Sequence, residues 1–301
     1  MQFKDLLFVL SSLTLLFLLG FVVYKEENPE WHKYQRQFYQ LQAKKTGDQK
    51  MAGMPLEIKQ IWGKDLGRAD RCITCHMGID KASFADAPQP LKAHPDLNGF
   101  MKKHSFEKFG CTICHNGEGR ATRYERTHGF VEHLELQPLS GPYVQASCTR
   151  CHLELYAPGV EFAETPEFNL GKNLALELGC GACHTIRQLG LLSTVAPELT
   201  TFGSQTELAF DLLHDFTFHN LKGEHSIRNW EIEHFKDPQK VMPGNPAQNL
   251  PATIMPNFEL TDKEADALTI FVMSLKDRKV ERIPFGFMPK IKNHEDFGQY
   301  Q

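Results

Sequence analysis

The chain has 301 residues, of which 41% are hydrophobic and 23% are charged, and its formal net charge is −4. This length accommodates two or three domains with the composition of an ordinary globular protein. The small negative charge and the lack of basic runs exclude a nucleic-acid-binding protein.

The N-terminus carries a nearly unbroken apolar run from Leu6 to Tyr24, followed at once by Lys25. The run is long enough to cross a bilayer as a helix, and it is longer than the core of a usual signal peptide. It also lacks the small-residue pattern of a cleavage site. We therefore expect residues 1–24 to form an uncleaved transmembrane anchor, with a cleaved signal peptide and a buried core helix as the alternatives.

Residues 25–67 are expected to form an amphipathic helix followed by a loop. Apolar and aromatic side chains recur there at the helical spacing of three and four, at Trp31, Tyr34, Phe38 and Leu41. The first two of these are expected either in the aromatic belt at a membrane surface or against a partner subunit. Residues 46–67 contain several glycines and a proline, which indicate a connecting loop.

All eight cysteines occur in four copies of one pattern, Cys-x-x-Cys-His. The copies are Cys72/Cys75/His76, Cys111/Cys114/His115, Cys148/Cys151/His152 and Cys180/Cys183/His184. Two thiols at this spacing can both add to the vinyl groups of one haem, and the adjacent histidine then reaches the iron. A disulfide framework, structural zinc sites and thioredoxin-like redox pairs are the alternatives, and none requires a histidine after every pair. The pattern therefore predicts four covalently bound haem c groups.

The fourth motif is followed by a well-marked final helix. Thr261 and Glu264 have the spacing of a capping box at its start. Its apolar stripe recurs at i, i+3, i+4 and i+7 and consists of Leu268, Phe271, Val272 and Leu275. A shorter helix is expected before the motif, from about Leu170 to Leu178.

The order of these features over residues 167–280 resembles a class I monohaem cytochrome c. The resemblance rests on the two helices, the Cys180–His184 motif and the segments Ala196-Pro197-Glu198-Leu199 and Ile254-Met255-Pro256-Asn257-Phe258. It implies that His184 and Met255 are the axial ligands and that a carbonyl near Pro197 holds the ring of His184. It also implies that the first and last helices cross. The alternative role of Met255 is that of a core methionine.

The segment between Phe202 and Pro251 is longer than this minimal fold requires. It contains four histidines outside the motifs, His214, His219, His225 and His234. We expect these to be surface residues or contacts of haem propionates rather than ligands.

Residues 68–166 hold the first three motifs, few regular periods and many turns, so the haems themselves are expected to form the core. Bis-histidine coordination requires up to three further ligands. The candidates outside the motifs are His94, His104, His128 and His133, with Met77 and Met101 in reserve. His32 is not expected to be a ligand, and the sequence order does not reveal which histidine serves which iron.

Several short strings resemble a family of bacterial multihaem cytochromes. They are Asp70-Arg71-Cys72, Gly78-Ile79-Asp80, His94-Pro95, Phe109-Gly110-Cys111, Asn116-Gly117-Glu118-Gly119-Arg120-Ala121 and Tyr143-Val144-Gln145-Ala146-Ser147-Cys148. The resemblance implies a trihaem segment, a class I domain and an N-terminal membrane helix, associated with quinol-oxidising cytochrome bc-type complexes. The chain departs from this family at Glu132-His133-Leu134, where paired histidines followed by tryptophan are expected, and this puts His133 in doubt as a ligand.

We therefore expect a mainly α protein with much irregular structure that transfers electrons as a subunit of a respiratory or photosynthetic membrane complex. Its haem domains would face the periplasm, with the N-terminus in the cytoplasm, because c-type haems are attached outside the cytoplasmic membrane. A soluble cytochrome or an oxidase would accept the electrons. Residues 281–301 are expected to be ordered by a partner. The alternatives are a direct quinol dehydrogenase and a multihaem reductase with an open haem.

Overall fold

The computed structural model describes residues 3–63, 66–129, 136–206, 209–210, 221–223 and 225–281. About 53% of it is helical, and the sheet in the described part is a single antiparallel hairpin. The mainly α class is therefore confirmed. His133, His214, His219 and nearly all of the C-terminal tail lie outside the described residues.

The N-terminal part consists of two long helices, α1 (Phe3–Glu27) and α2 (Trp31–Thr46). Helix α1 has no buried residue, and it is the one helix in the described ranges that is long and apolar enough to cross a membrane. Helix α2 ends at Gly47, whose φ of 76° lies in the left-handed region that glycine adopts at little cost. The amphipathic helix is confirmed, and the transmembrane anchor stays a prediction.

Helix α2 packs on the rest of the chain. Phe38 stacks on Phe84 with ring centroids 4.9 Å apart, and Gln35 is fully buried. Trp31 is also buried, with 7% of its surface exposed. The expectation that Trp31 and Tyr34 face a membrane belt or a partner subunit is therefore wrong for Trp31, because this helix packs against the segment of its own chain that holds the first motif.

The segment with the first three motifs is built from very short elements. Its hairpin pairs β1 (Ile61–Gly63) with β2 (Arg68–Asp70). Its single-turn helices are α3 (Phe100–Lys103), α4 (Phe106–Phe109), α5 (Thr112–His115) and α6 (Tyr124–Thr127). Its 3₁₀ turns span Cys72–Thr74, Ala82–Phe84, Gly141–Arg150 and Leu153–Tyr156, after an earlier one at Gln49–Gly53. Elements of this length need other groups to hold them in place.

The described residues of the C-terminal part form three longer helices and two helices of a single turn. They are α7 (Pro166–Glu177), α8 (Ile227–Lys236), α9 (Pro238–Val241), α10 (Asp262–Ser274) and α11 (Arg278–Glu281). Short 3₁₀ turns span Cys180–Ala182, Arg187–Leu189, Phe202–Ser204 and Pro246–Gln248. Helix α7 begins earlier than predicted, because Pro166 occupies its first turn, where a missing N–H costs nothing.

Helices α7 and α10 pack directly against each other. A Cβ at Gly171 would overlap the carbonyl of Ala267, so glycine is required for this approach. Phe168 and Phe271 lie beside it, with ring centroids 5.9 Å apart. The capping box at Thr261 and all four residues of the predicted apolar stripe are present, and the stripe is buried. The predicted contact between the first and last helices is therefore confirmed.

The core of the C-terminal part extends into the third motif segment. Ala146, Leu155 and Tyr156 are buried in the same cluster as helices α7 and α10. The Tyr156 hydroxyl and the Thr149 hydroxyl both donate to the carbonyl of Ser274, at 2.5 and 3.0 Å. The predicted boundary between residues 166 and 167 therefore does not coincide with a break in the core.

The long insertion forms a small core of its own. Phe210, Ile227, Trp230 and Val241 are buried together, next to the main core. His234 stacks on Trp230 with ring centroids 4.6 Å apart, whereas His225 is exposed. The surface position expected for the insertion histidines thus holds for His225, while His234 takes part in packing.

Candidate cofactor site

Each Cys-x-x-Cys-His motif forms one turn of the same shape. In all four copies the histidine amide donates to the carbonyl of the first cysteine; the bonds are His76 to Cys72 at 2.9 Å, His115 to Cys111 at 3.0 Å, His152 to Cys148 at 2.9 Å and His184 to Cys180 at 2.9 Å. The amide of the second cysteine, which is Cys75, Cys114, Cys151 or Cys183, donates to the same carbonyl at 3.1 to 3.2 Å. One turn therefore presents two thiols and an imidazole together, as thioether attachment and iron ligation require.

The first three motif histidines each face a second histidine. Ring centroids lie 6.2 Å apart in all three pairs, which are His76 with His128, His115 with His94, and His152 with His104. An imidazole nitrogen lies about 2 Å from a bound metal and about 1.2 Å from its own ring centre, so two rings sharing one axial metal lie about 6.4 Å apart. The observed spacing fits one six-coordinate iron between each pair.

The ring nitrogens that would not face iron have oxygen partners. The Nδ1 atoms of His94, His104 and His115 lie 2.6, 3.2 and 2.9 Å from the carbonyls of Pro95, Phe100 and Leu139, respectively. His128 Nδ1 lies 3.1 Å from the carbonyl of Tyr124, and His76 is hydrogen-bonded to the backbone of Pro90. Such bonds fix the tautomer and leave Nε2 available as a ligand, as is usual for metal-binding histidines.

Burial disfavours the protonated form of the first proximal histidine. Desolvation, together with the smaller effects of the neighbouring His128 and His115, lowers the pKa of His76 to about 4. The imidazole is therefore neutral near pH 7, and the neutral form is the one that binds a metal.

The fourth motif has the hydrogen bond that the class I resemblance implies. His184 Nδ1 lies 2.7 Å from the carbonyl of Pro197, so this expectation is confirmed. Met255 is half-buried and its carbonyl accepts a hydrogen bond from Gln239. Large apolar side chains in the flanking segments are exposed, at Leu192, Val195 and Ile254. Ligation by Met255 stays a prediction, and an apolar macrocycle there would cover such side chains.

The two cysteines of the fourth motif have different surroundings. Cys180 packs against the main core of the C-terminal part, whereas Cys183 lies half-buried outside that cluster of the described residues. The backbone of Cys183 is held in place, because its carbonyl accepts a hydrogen bond from the Ala196 amide at 2.9 Å. All eight cysteines, Cys183 included, are half-buried, and the predicted thioether bond of Cys183 to a haem stays a prediction.

A cavity of about 560 Å³ lies beside His76. Its walls include Phe38, Ile73, Met77 and Phe106. Sites for cofactors are typically concave, mostly apolar and about 300 to 1,000 Å³ in volume. This cavity therefore suits a large apolar group attached at the first motif. Met77 is buried in the neighbouring core, as expected of a structural methionine.

The thiols do not fit the alternative chemistries. All eight cysteines lie in the described ranges and form no disulfide bond. Burial raises the pKa of the Cys75 and Cys148 thiols to about 12, so they are protonated at neutral pH and poor nucleophiles for disulfide exchange. Among the described residues, no three His, Cys, Asp or Glu side chains converge as a zinc site would require.

Two buried charged side chains connect successive motifs. Asp70, beside the first motif, accepts hydrogen bonds from the Cys111 amide at 2.8 Å and the Thr112 hydroxyl at 2.7 Å in the second. Arg150, within the third motif, donates to the Ile113 carbonyl and, at 2.5 Å, to Asn116 Oδ1. Sequence reasoning missed both roles, although Asp70 and Arg150 stand next to or between the cysteines. These bonds hold the three motifs at fixed separations.

Residues 168–276 match the cytochrome c family, which corresponds to the segment whose helices and motif are described above. Neither the curated proteins nor the solved structures include a match to this chain. The chain thus contains a cytochrome c domain, which binds haem c covalently and transfers electrons.

Proposed function

We propose that this chain, with its cytochrome c domain at residues 168–276, is a tetrahaem cytochrome that transfers electrons within a quinol-linked membrane complex of the cytochrome bc type. The observation that carries the proposal is the equal spacing of the three histidine pairs, each with ring centroids 6.2 Å apart. Haem c supplies one-electron chemistry when bound. The cysteines of each motif would hold it, and the paired imidazoles would fill both axial positions.

The filled axial positions favour electron transfer over catalysis. An iron with two protein ligands has no position for a substrate. His94, His104 and His128 each face a motif histidine, which argues against the alternative of a reductase with an open haem in these three motifs. Met255 would complete the fourth site.

The contacts of helix α2 support electron transfer from the membrane side. Gln35 Nε2 donates at 3.0 Å to the carbonyl of Thr74, which lies inside the first motif. The amide of Tyr124, in the helix before His128, donates at 3.2 Å to the Glu30 carboxylate. The first motif therefore lies beside the start of α2, close to the end of the apolar helix α1. Electrons would enter there.

The ligand types support a direction of transfer. Methionine–histidine ligation raises the reduction potential relative to bis-histidine ligation. Electrons entering at the first motif would therefore finish at the site of His184 and Met255, where a soluble cytochrome or an oxidase in the periplasm could accept them.

The second candidate is a direct quinol dehydrogenase. A long stretch of sequence separates α1 from the first motif, and this separation along the chain disfavours direct contact with a membrane quinol. In space, however, α2 folds against that motif, as the contacts of Gln35 demonstrate. The two candidates differ in partners: the bc-type subunit co-purifies with a membrane cytochrome b in mild detergent, whereas the dehydrogenase oxidises quinol alone.

The haem number is tested by the mass of the mature polypeptide, which is expected to exceed the sequence mass by four haems. Replacing both cysteines of one motif by alanine should remove one haem and leave three, and this should hold for each motif in turn. For the fourth motif, the double variant combines Cys180→Ala and Cys183→Ala. A wild-type mass with fewer than four haems contradicts the proposal.

In a redox titration of the intact protein, the haem at the fourth motif should have the highest potential of the four, and the opposite order would overturn the direction of transfer.

A further inference from the structure

The proximal histidine of the third motif has an unusual partner. His152 Nδ1 lies 3.0 Å from Oε1 of Glu154, two residues later in the chain. The carboxylate is held close by the 3₁₀ turn Leu153–Tyr156, which begins between the two residues. About a quarter of each side chain is exposed, so the pair is partly shielded from water.

The other Glu154 oxygen has no competing partner. Oε2 is buried and has no hydrogen-bond partner among the described residues. No lysine or arginine forms an ion pair with Glu154 in the described part of the chain. The negative charge of this side chain is therefore directed mainly at one imidazole.

The corresponding bonds in the other motifs are made to neutral groups. His115 and His184 have the carbonyls of Leu139 and Pro197 as partners, and His76 has the backbone of Pro90. A carboxylate is a stronger acceptor than a peptide carbonyl, because it carries a full charge. It draws the Nδ1 proton toward itself and makes Nε2 a more basic ligand.

The geometry points to Glu154 as a positioning residue that acts through His152 and lowers the reduction potential of the haem held by Cys148 and Cys151. A more basic axial ligand stabilises the oxidised iron relative to the reduced iron, and hydrogen bonding around the ligand is an established means of setting haem potentials. The inference rests on the proposed function, because it requires a haem at the third motif.

The test is the variant Glu154→Gln, which keeps an acceptor oxygen and removes the charge. In this variant the reduction potential of the third haem is expected to rise by about 59 mV. For a one-electron step, this shift corresponds to an increase of about tenfold in the ratio of reduced to oxidised haem at a given applied potential. The titration step of this haem is identified by its loss in the double variant Cys148→Ala and Cys151→Ala.

The matched control is Glu164→Gln. Glu164 is an exposed carboxylate whose charge acts on Cys148 and His104 at the same site, but it makes no hydrogen bond to His152 in the described structure. Glu164→Gln removes the same amount of charge, and it is expected to shift the potential of the third haem several-fold less than Glu154→Gln does. Equal shifts in the two variants would overturn the inference, because they would show only the loss of nearby charge.

A conservative variant separates redox tuning from folding. Glu154→Asp retains the carboxylate, and its potential is expected to lie closer to wild type than that of Glu154→Gln. Haem content by mass is measured first in every protein. A wild-type protein without haem at the third motif refutes the proposed function, whereas intact haem content with an unchanged potential in Glu154→Gln refutes the role of Glu154. If Glu154→Gln loses haem, Glu154→Asp serves as the test instead. A shift in the potential of the third haem that is larger in Glu154→Asp than in Glu164→Gln contradicts the inference.

Discussion

The imidazoles of His76 and His128 face each other with ring centroids 6.2 Å apart. Replacing His128 by alanine is expected to leave one axial position of the first haem open, and the open iron becomes high-spin. Optical and paramagnetic-resonance spectra should then show one high-spin haem in four. His225→Ala, an exposed histidine of the insertion, is the control and should leave the spectra unchanged. Four low-spin haems in His128→Ala would contradict the pairing.

Met255→His is expected to lower the potential of the fourth haem, because bis-histidine ligation gives lower potentials than methionine–histidine ligation. The shift should exceed about 59 mV, a tenfold change in the one-electron equilibrium. A spectroelectrochemical titration measures it. Met242→His, in the insertion between Phe202 and Pro251, should have no comparable effect. A fourth haem that keeps its potential in Met255→His would show that Met255 is a core residue.

Gln35→Ala is expected to weaken the attachment of α2 to the first motif. The Gln35 amide accepts a hydrogen bond from the Glu57 amide at 3.0 Å and donates to the carbonyls of Glu57 at 2.6 Å and Thr74 at 3.0 Å. Loss of these bonds leaves buried backbone groups unsatisfied, which costs about 2 to 4 kcal/mol of unfolding free energy. Denaturant unfolding followed at the first haem measures this. The exposed Gln40→Ala on the same helix should change stability by less than about 0.5 kcal/mol.

Lys172→Met is expected to weaken the attachment of α7 to the segment that follows the third motif. The buried Nζ of Lys172 donates to the carbonyls of Leu155 at 2.9 Å, Ala157 at 3.3 Å and Val160 at 2.6 Å. Methionine fills the space but donates nothing, so unfolding free energy should fall by about 3 kcal/mol. Thermal unfolding measures the change against Lys263→Met, an exposed lysine of α10. Equal stabilities of the two variants would contradict this role.

Local features of the fold were predictable because their causes lie within a few residues. The capping box at Thr261 and Glu264 is a spacing of three, and the stripe that includes Leu268 and Phe271 follows the helical period. The hydrogen bond from His184 to Pro197 was implied by the order of segments in a familiar domain. Each of these required only short-range information.

The pairing of histidines was not predictable, because it depends on how distant segments meet. His104 precedes its partner His152, and His128 follows its partner His76, so no single order applies. The position of Trp31 was misjudged for the same reason. Its aromatic neighbours indicate an amphipathic helix, but the sequence does not reveal what covers the apolar face. Likewise, the motif pattern treats all eight cysteines alike and does not reveal that Cys148 and Cys180 are the ones that pack against the main core.

The hydrogen bonds from Thr149 and Tyr156 to Ser274 join the third motif to the last long helix of the cytochrome c domain. A carrier domain on a flexible tether must swing and dock before each transfer, and its search time then limits the rate. Here the cytochrome c domain shares one buried core with the third motif segment, which is its donor in our proposal. Each transfer between them would therefore proceed without a diffusive search, and only the last step, to a separate acceptor, would depend on collision.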